Sequence, residues 1–259
     1  MLKEYDFFRG NIDKVKMAIA RLQQFEPADG YYLAFSGGKD SITLKQLVDL
    51  ASVKYDAHYN NPTIDPPELV KFIRSQHSDV IFEQPPIPFL RRLETRGFPL
   101  RQRRWCCQEY KERGGSGRIV LTGIRWAESN RRKKRHLVET CFRDSTKRYV
   151  NPIIDWSNEE VWQFIEENQL LYCSLYNLGW KRIGCLFCPM TYKKQRMLEV
   201  KRYPRYKRAF LRSFQKLYLH KLKVNPNSVR SWKNGIEMFN WWISGDQKKQ
   251  QPDQLTIFE

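Results

Sequence analysis

The chain has 259 residues, 46 Lys and Arg against 28 Asp and Glu, and a formal net charge of +18. Its 41% hydrophobic and 14% aromatic content supplies a core and excludes a wholly disordered chain. No apolar run approaches the roughly 18 residues of a membrane helix. The start, MLKEYDFFRG, lacks a signal-peptide core, so a cytoplasmic protein without a membrane partner is expected.

In chain order, Ile12, Val15, Met17, Ala18, Leu22 and Phe25 fall near helical spacing and predict a basic amphipathic helix over 12–25. YYLAFS (31–36) reads as a buried strand, followed by GGKDS and the helical ITLKQLVDLA. Strand, glycine turn and helix open an α/β unit. YDAHYN (55–60) reads as a strand. Asp65 is expected to cap a helix with Pro66 first and Glu68 in the capping-box place. VIFEQ (80–84) and RIVLTGI (118–124), the latter behind the turn GGSG, read as further strands. Ser157 and Glu160 form a second capping-box pattern and open EEVWQFIEENQ. The alternation predicts an α/β fold with a mainly parallel sheet and helices on both faces. Past about residue 190 strand signals end. Residues 193–223 carry twelve Lys and Arg and one acid, Glu199, which predicts a basic helical region.

Ser36, Gly37, Gly38, Lys39, Asp40 and Ser41 fall between a predicted strand and a predicted helix. Glycines permit the tight turn and let backbone N–H groups approach a phosphate. The helix N-terminus adds donors and positive dipole character. Ser36 and Ser41 offer hydroxyls and Lys39 a charge. Asp40 makes sense beside an anion only as a helix cap or a Mg²⁺ ligand. The hexapeptide SGGKDS matches the pyrophosphate-binding loop of the N-type ATP pyrophosphatases and is not a Walker A motif.

Six cysteines fall at 106, 107, 141, 173, 185 and 188, and reduced thiols are expected. Cys106-Cys107 and the C-x-x-C of Cys185 and Cys188 read as a site for Zn²⁺ or an iron–sulfur cluster. Adjacent cysteines fit a single tetrahedral ion poorly, so a [4Fe–4S] cluster with four Cys is favoured over zinc. Cys141 and Cys173 read as ordinary buried residues. The expected organisation is a nucleotide-binding α/β domain with the cluster site over 1–190, a basic helical region over 191–245 and a flexible tail over 246–259.

SGGKDS, WCCQEYK, LTGIRWAESNRR (121–132), NPIIDWSNEEVW (151–162) and LYNLGWKRIGCLFCP (175–189) together resemble the phosphoadenosine phosphosulfate reductase family. That family is a branch of the adenine nucleotide α-hydrolase superfamily, with a Rossmann-like fold. The resemblance implies that Cys106, Cys107, Cys185 and Cys188 hold a [4Fe–4S] cluster. It also implies that Arg125, Glu128 and Arg132 line the nucleotide pocket and that Arg182 meets phosphate or sulfate. Guanidinium groups suit such bidentate binding.

Two departures bear on the subfamily. The reductases carry a catalytic cysteine in a C-terminal segment resembling ECGLH, whereas residues 189–259 hold no cysteine. A thiolate is the nucleophile that sulfate reduction requires. The chain also keeps Lys39 and Asp40, as enzymes that cleave ATP to AMP and pyrophosphate do. It therefore looks similar to the ATP pyrophosphatase component of DNA phosphorothioation systems. That resemblance implies catalytic roles for Lys39, Asp40 and Arg125, with ATP and Mg²⁺. It also implies a sulfur donor such as a cysteine desulfurase.

RQRRW (101–105), NRRKKR (130–135) and KRYPRYKR (201–208) are dense cationic clusters with aromatics among them, a pattern that suits nucleic acid. DNA is preferred to RNA on the resemblance. Gln254, Leu255, Ile257 and Phe258 resemble a short sliding-clamp docking peptide. Two other readings stand: a phosphoadenylyl-sulfate or adenylyl-sulfate reductase, and a non-catalytic nucleotide-gated nucleic-acid-binding regulator.

Overall fold

The computed structural model describes residues 1–6 and 10–245. The clamp-like residues Gln254, Leu255, Ile257 and Phe258 lie outside the described residues. The first half of the chain forms β1 (Lys3–Asp6), β2 (Gly10–Asp13), α1 (Lys14–Gln24), β3 (Tyr31–Ala34), α2 (Lys39–Ala51), β4 (Tyr55–Asn60), α3 (Pro67–Gln76), β5 (Ile81–Glu83) and α4 (Phe89–Arg96). There follow β6 (Ile119–Leu121), β7 (Val138–Cys141), β8 (Asp144–Val150), α5 (Asn158–Glu167), α6 (Lys193–Arg202), α7 (Pro204–Val224) and α8 (Gly235–Ser244).

The chain folds into two compact units. The first comprises Met1–Asn61, Asp65–Gln84 and Glu109–Gly184. Its sheet runs β5-β4-β3-β6-β8-β7, parallel except for β7, which pairs antiparallel with β8. Tyr31, Tyr32 and Leu33 of β3 are all buried, as are Ala57, His58 and Tyr59 of β4. Successive strand residues face opposite ways, so both faces of these strands are covered. The fold is the expected α/β, Rossmann-like one. β3 lies between β4 and β6, so the chain leaves it in one direction for β4 and β5 and in the other for β6. In open α/β sheets, ligands bind beyond the strand carboxyl ends at such a reversal. SGGKDS lies there, directly after β3.

Local chemistry explains most element ends. Asp13 accepts from the N–H groups of Val15 and Lys16 and caps α1. Ser157 Oγ accepts from Glu160 N–H while the Glu160 carboxylate accepts from Ser157 N–H, completing the expected capping box. The Asp65 expectation fails. α3 begins at Pro67 without a side-chain cap, and Asp65 Oδ2 instead accepts the buried Tyr59 hydroxyl at 2.7 Å. Its other oxygen, Oδ1, lies 3.7 Å from Lys111 Nζ, so the carboxylate serves long-range partners rather than the helix end. The β1–β2 pair and the β7–β8 hairpin were not anticipated, because their strands are polar and lack clear alternation. Cys141, expected to be buried, is only half-buried at the end of β7, where its Sγ meets the Tyr149 hydroxyl at 3.7 Å. Cys173 is buried, as expected.

The second unit comprises Pro62–Ile64, Pro85–Gln108 and, of the described residues, 185–245. Composition placed a boundary at 190, whereas the compact units divide at Gly184. Residues 85–108 join the C-terminal helices because aromatic packing holds them there. Phe89 lies 5.9 Å from Phe210, Phe98 stacks on Phe214 at 5.5 Å, and Trp242 Nε1 donates to Pro99 O at 2.7 Å. α7 buries Phe210, Phe214 and Leu217 on one face. Among the described residues, no helix is long and apolar enough to cross a membrane.

Candidate active site

The loop after β3 is built from close backbone approaches. Gly37 has φ +69°, and a Cβ there would fall 2.7 Å from Ile73 Cγ1 and 2.9 Å from Leu69 Cδ1. Only glycine fits both the conformation and the space. Gly37→Ala is expected to destabilise the protein by about 1–3 kcal/mol through backbone strain and overpacking, measured as a lower urea midpoint. Gly38 occupies the N-cap position of α2. The two serines close the turn. Ser36 N–H donates to Ser41 Oγ at 3.2 Å, the two hydroxyls lie 3.1 Å apart, and Ser41 Oγ donates to Gly38 O at 2.9 Å.

Lys39 and Asp40 enter a charged network in the first unit. Asp40 Oδ1 accepts from Lys39 Nζ at 2.8 Å and from Arg125 Nε at 2.8 Å. Asn158 Oδ1 accepts from Arg125 Nη2 at 2.8 Å and from Lys39 Nζ at 3.3 Å. Arg125 Nη1 donates to Trp156 O at 3.1 Å. Arg125 is 0% exposed, so its guanidinium is directed to protein partners that fix Asp40. Burial lowers the Lys39 pKa, with the Arg125 charge acting in the same direction and Asp40 opposing it. Gly123, just past β6, keeps this packing tight, since a Cβ there would lie 3.0 Å from the Asp40 carbonyl.

The other predicted pocket residues sit in the same unit. Glu128 accepts from Arg125 N–H at 3.0 Å and pairs with Arg132. Arg182 is exposed, and its charge reaches Tyr176. Sequence reasoning missed two residues at the loop. Asn158 lies next to the capping Ser157, and the capping pattern explains Ser157 but says nothing of the Asn158 amide. The Tyr176 hydroxyl accepts the Lys39 N–H at 2.9 Å, a contact 137 residues apart that no local spacing signals.

The four cysteines of the two motifs all lie in the second unit, near enough for Cys106 to feel the other three. A hydrogen bond with Cys107, then burial, then the charges of Cys107, Cys185 and Cys188 push the Cys106 thiol far up. No disulfide joins them. Among the described residues, no three His, Cys, Asp or Glu side chains are placed to share one metal ion. Four cysteine sulfurs from two motifs offer a soft donor set of the kind that suits Zn²⁺ or an iron–sulfur cluster.

The C-x-x-C loop is fixed by groups other than sulfur. Leu186 N–H donates to Ile64 O at 2.9 Å, Arg101 Nε to Pro189 O at 2.8 Å, and Phe187 N–H to Glu199 at 2.6 Å. Phe187 is buried at φ +62°, a conformation unfavourable for an aromatic residue that the loop contacts sustain. Glu199 is buried, and that burial pushes its pKa up to about 7 against the opposing effect of the Phe187 N–H. Beside Cys106, Trp105 stacks on Phe89 at 5.7 Å beneath the Arg96 guanidinium.

A glycine loop at the reversal point of a mainly parallel sheet, joined to a buried charge network, marks a nucleotide-binding α/β protein. Residues 30–191 match the phosphoadenosine phosphosulfate reductase domain, and the chain belongs to that family of enzymes. An uncharacterized protein of Methanocaldococcus jannaschii is 29% identical over 184 residues, 66% of this chain and 44% of the relative. The adenosine 5'-phosphosulfate reductase of Allochromatium vinosum is 30% identical over 135 residues, 47% of this chain and 52% of the relative. The chain thus spans about half or less of the length of these relatives. The crystal structure of a phosphoadenylyl-sulfate reductase from Candida auris, a phosphate complex, aligns with a TM-score of 0.49 at 18% identity. That alignment covers 65% of this chain and 87% of the other.

Proposed function

We propose that the chain is an ATP pyrophosphatase that activates a nucleic-acid backbone for sulfur incorporation, as in DNA phosphorothioation. The observation that carries this reading is the intact loop, in which Lys39 and Asp40 are locked to Arg125 and Asn158. In this reaction an acceptor phosphate oxygen attacks the α-phosphorus of ATP, and pyrophosphate leaves. Sulfur from a persulfide donor, such as one formed on a cysteine desulfurase, then displaces AMP. The donor is then linked to the phosphorus through S–S; an external thiol attacks the donor's own sulfur, the two become a disulfide, and the outer sulfur stays on phosphorus as phosphorothioate. The loop N–H groups and Lys39 stabilise the charge that develops on pyrophosphate. Arg125 acts by positioning Asp40, while Arg132 and Arg182 offer guanidinium groups to the nucleotide.

Asp40 would hold Mg²⁺ together with phosphate oxygens and water. The ion, when bound, neutralises charge on the phosphates. Cys106, Cys107, Cys185 and Cys188 would hold a [4Fe–4S] cluster. Such a cluster, when bound, supplies a one-electron centre and ties the two cysteine motifs together.

The acceptor is read from charge. Arg131, Lys133, Lys134, Lys201, Arg202 and Arg208 are exposed. Arg205, Arg212 and Lys216 of α7 are exposed too, and with Arg208 they fall at spacings that form one row along the helix. A single nucleotide cannot use so many cations, whereas a phosphate backbone can.

The relatives favour a second reading, a sulfonucleotide reductase, in which a nucleophilic thiolate would come from outside residues 189–259. One pair of assays separates the readings. Anaerobically purified protein with ATP, Mg²⁺ and duplex DNA is expected to release pyrophosphate. The same protein with a sulfonucleotide and thioredoxin is expected to release no sulfite. Sulfite without pyrophosphate overturns the proposal. Neither product, with salt-sensitive DNA binding, points instead to a non-catalytic nucleic-acid-binding regulator.

A further inference from the structure

The phosphate loop already has an occupant. Tyr176 opens the short turn Tyr176–Leu178, which Gly179 closes at φ +80°. Its hydroxyl oxygen accepts the Lys39 N–H at 2.9 Å. Lys39 is the first residue of α2, so this donor is one of those a helix N-terminus offers to an anion. A Cβ at Gly38 would lie 3.5 Å from the same hydroxyl oxygen, which places the phenol over the Gly38–Lys39 peptide. Trp162 and Tyr172 pack edge-on against the ring, at 5.1 and 6.1 Å. Burial pushes the Tyr176 pKa up, so the group stands there as a neutral hydroxyl.

One N–H serves one acceptor well along its axis. A phosphate oxygen that takes the Lys39 N–H must stand where the phenol oxygen stands. We propose that Tyr176 is a built-in competitor for the pyrophosphate position: it yields the Lys39 N–H when a pyrophosphate group enters and takes it back when pyrophosphate leaves. This inference rests on reading the loop as a pyrophosphate site. A charged phosphate oxygen forms a hydrogen bond about twice as strong as a neutral acceptor does, so the phosphate chain displaces the phenol. The returning phenol satisfies the donor that pyrophosphate vacates, which weakens the hold on the product. AMP has no β- or γ-phosphate and leaves the contact in place.

The test is calorimetric titration of inorganic pyrophosphate and, separately, AMP into the full chain and into Tyr176→Phe. The phenylalanine keeps the ring and removes the acceptor. Pyrophosphate is expected to bind the variant about 3–10-fold more tightly, the net worth of one hydrogen bond, with AMP affinity unchanged. Pyrophosphate affinity that is unchanged or weaker overturns the competitor role while leaving the loop reading intact. An equal change for both ligands also overturns it, as a general structural effect. Absence of pyrophosphate binding to either protein overturns the loop reading and the inference together. A second measurement does not depend on the Tyr176 variant folding. Pyrophosphate should change the tryptophan emission of the unaltered chain as the ring moves off Trp162, and Trp162→Phe should abolish that change. An emission that pyrophosphate leaves constant overturns the inference.

Discussion

Arg125→Met is expected to lower the stability of the protein by about 2–4 kcal/mol, read as a reduced urea midpoint with an unchanged slope. Removing one partner of a buried ion pair costs about 3–5 kcal/mol, and Asp40, with its side chain 26% exposed, recovers part of that from water. Methionine roughly preserves the volume, so the loss reports the missing guanidinium rather than a cavity. Three acceptors lose a donor at once: Trp156 O, and Asp40 Oδ1 and Asn158 Oδ1, which retain Lys39 Nζ. Lysine cannot replace the planar fork that reaches all three, so Arg125→Lys should rescue only a fraction. Because Asp40 and Arg125 share one contact, Asp40→Asn combined with Arg125→Met should cost less than the sum of the two. An additive result would mean that the pair is not coupled in solution.

Lys39→Met is expected to slow pyrophosphate release by about 10²–10³-fold, the usual loss when a group that stabilises developing charge is removed. An iron–sulfur absorbance near ~400 nm, expected of a thiolate-held cluster, should survive that change. Cys185→Ser should do the reverse and abolish the absorbance. The two variants probe different units of the chain, since Lys39 lies in the first and Cys185 in the second. Loss of the absorbance in Lys39→Met would show that the lysine acts on folding rather than on phosphate.

The contrast between Ser157 and Asn158 shows what the sequence could reveal. The Ser157–Glu160 box is a three-residue rule and stands where it was expected. The neighbouring Asn158 amide joins Lys39 and Arg125, and such long-range partners leave no trace in local spacing. The strand, glycine turn and helix around Gly37 were legible because glycine chemistry and apolar runs are local signals. The β7–β8 hairpin was not, because its residues are polar and its pairing is made by a partner strand. The family resemblance assigns Arg125 to the nucleotide pocket, and nothing in the local sequence signals that its side chain is fully buried. The placement of 85–108 with the C-terminal helices depends on aromatic contacts such as Phe98 with Phe214, which composition cannot order.

The C-x-x-C loop is held by contacts that its cysteines do not make. Its backbone is held by Ile64, Arg101 and Glu199, and its Phe187 keeps a left-handed turn under those restraints. None of these contacts involves a sulfur atom. On the proposed cluster reading, these contacts predict that the loop keeps its backbone course when the cysteines are empty. Many small metal-binding domains behave in the opposite way, staying unfolded until the metal arrives. If a cluster is held there, as proposed, a chelator is expected to remove its iron while the helical circular dichroism stays unchanged.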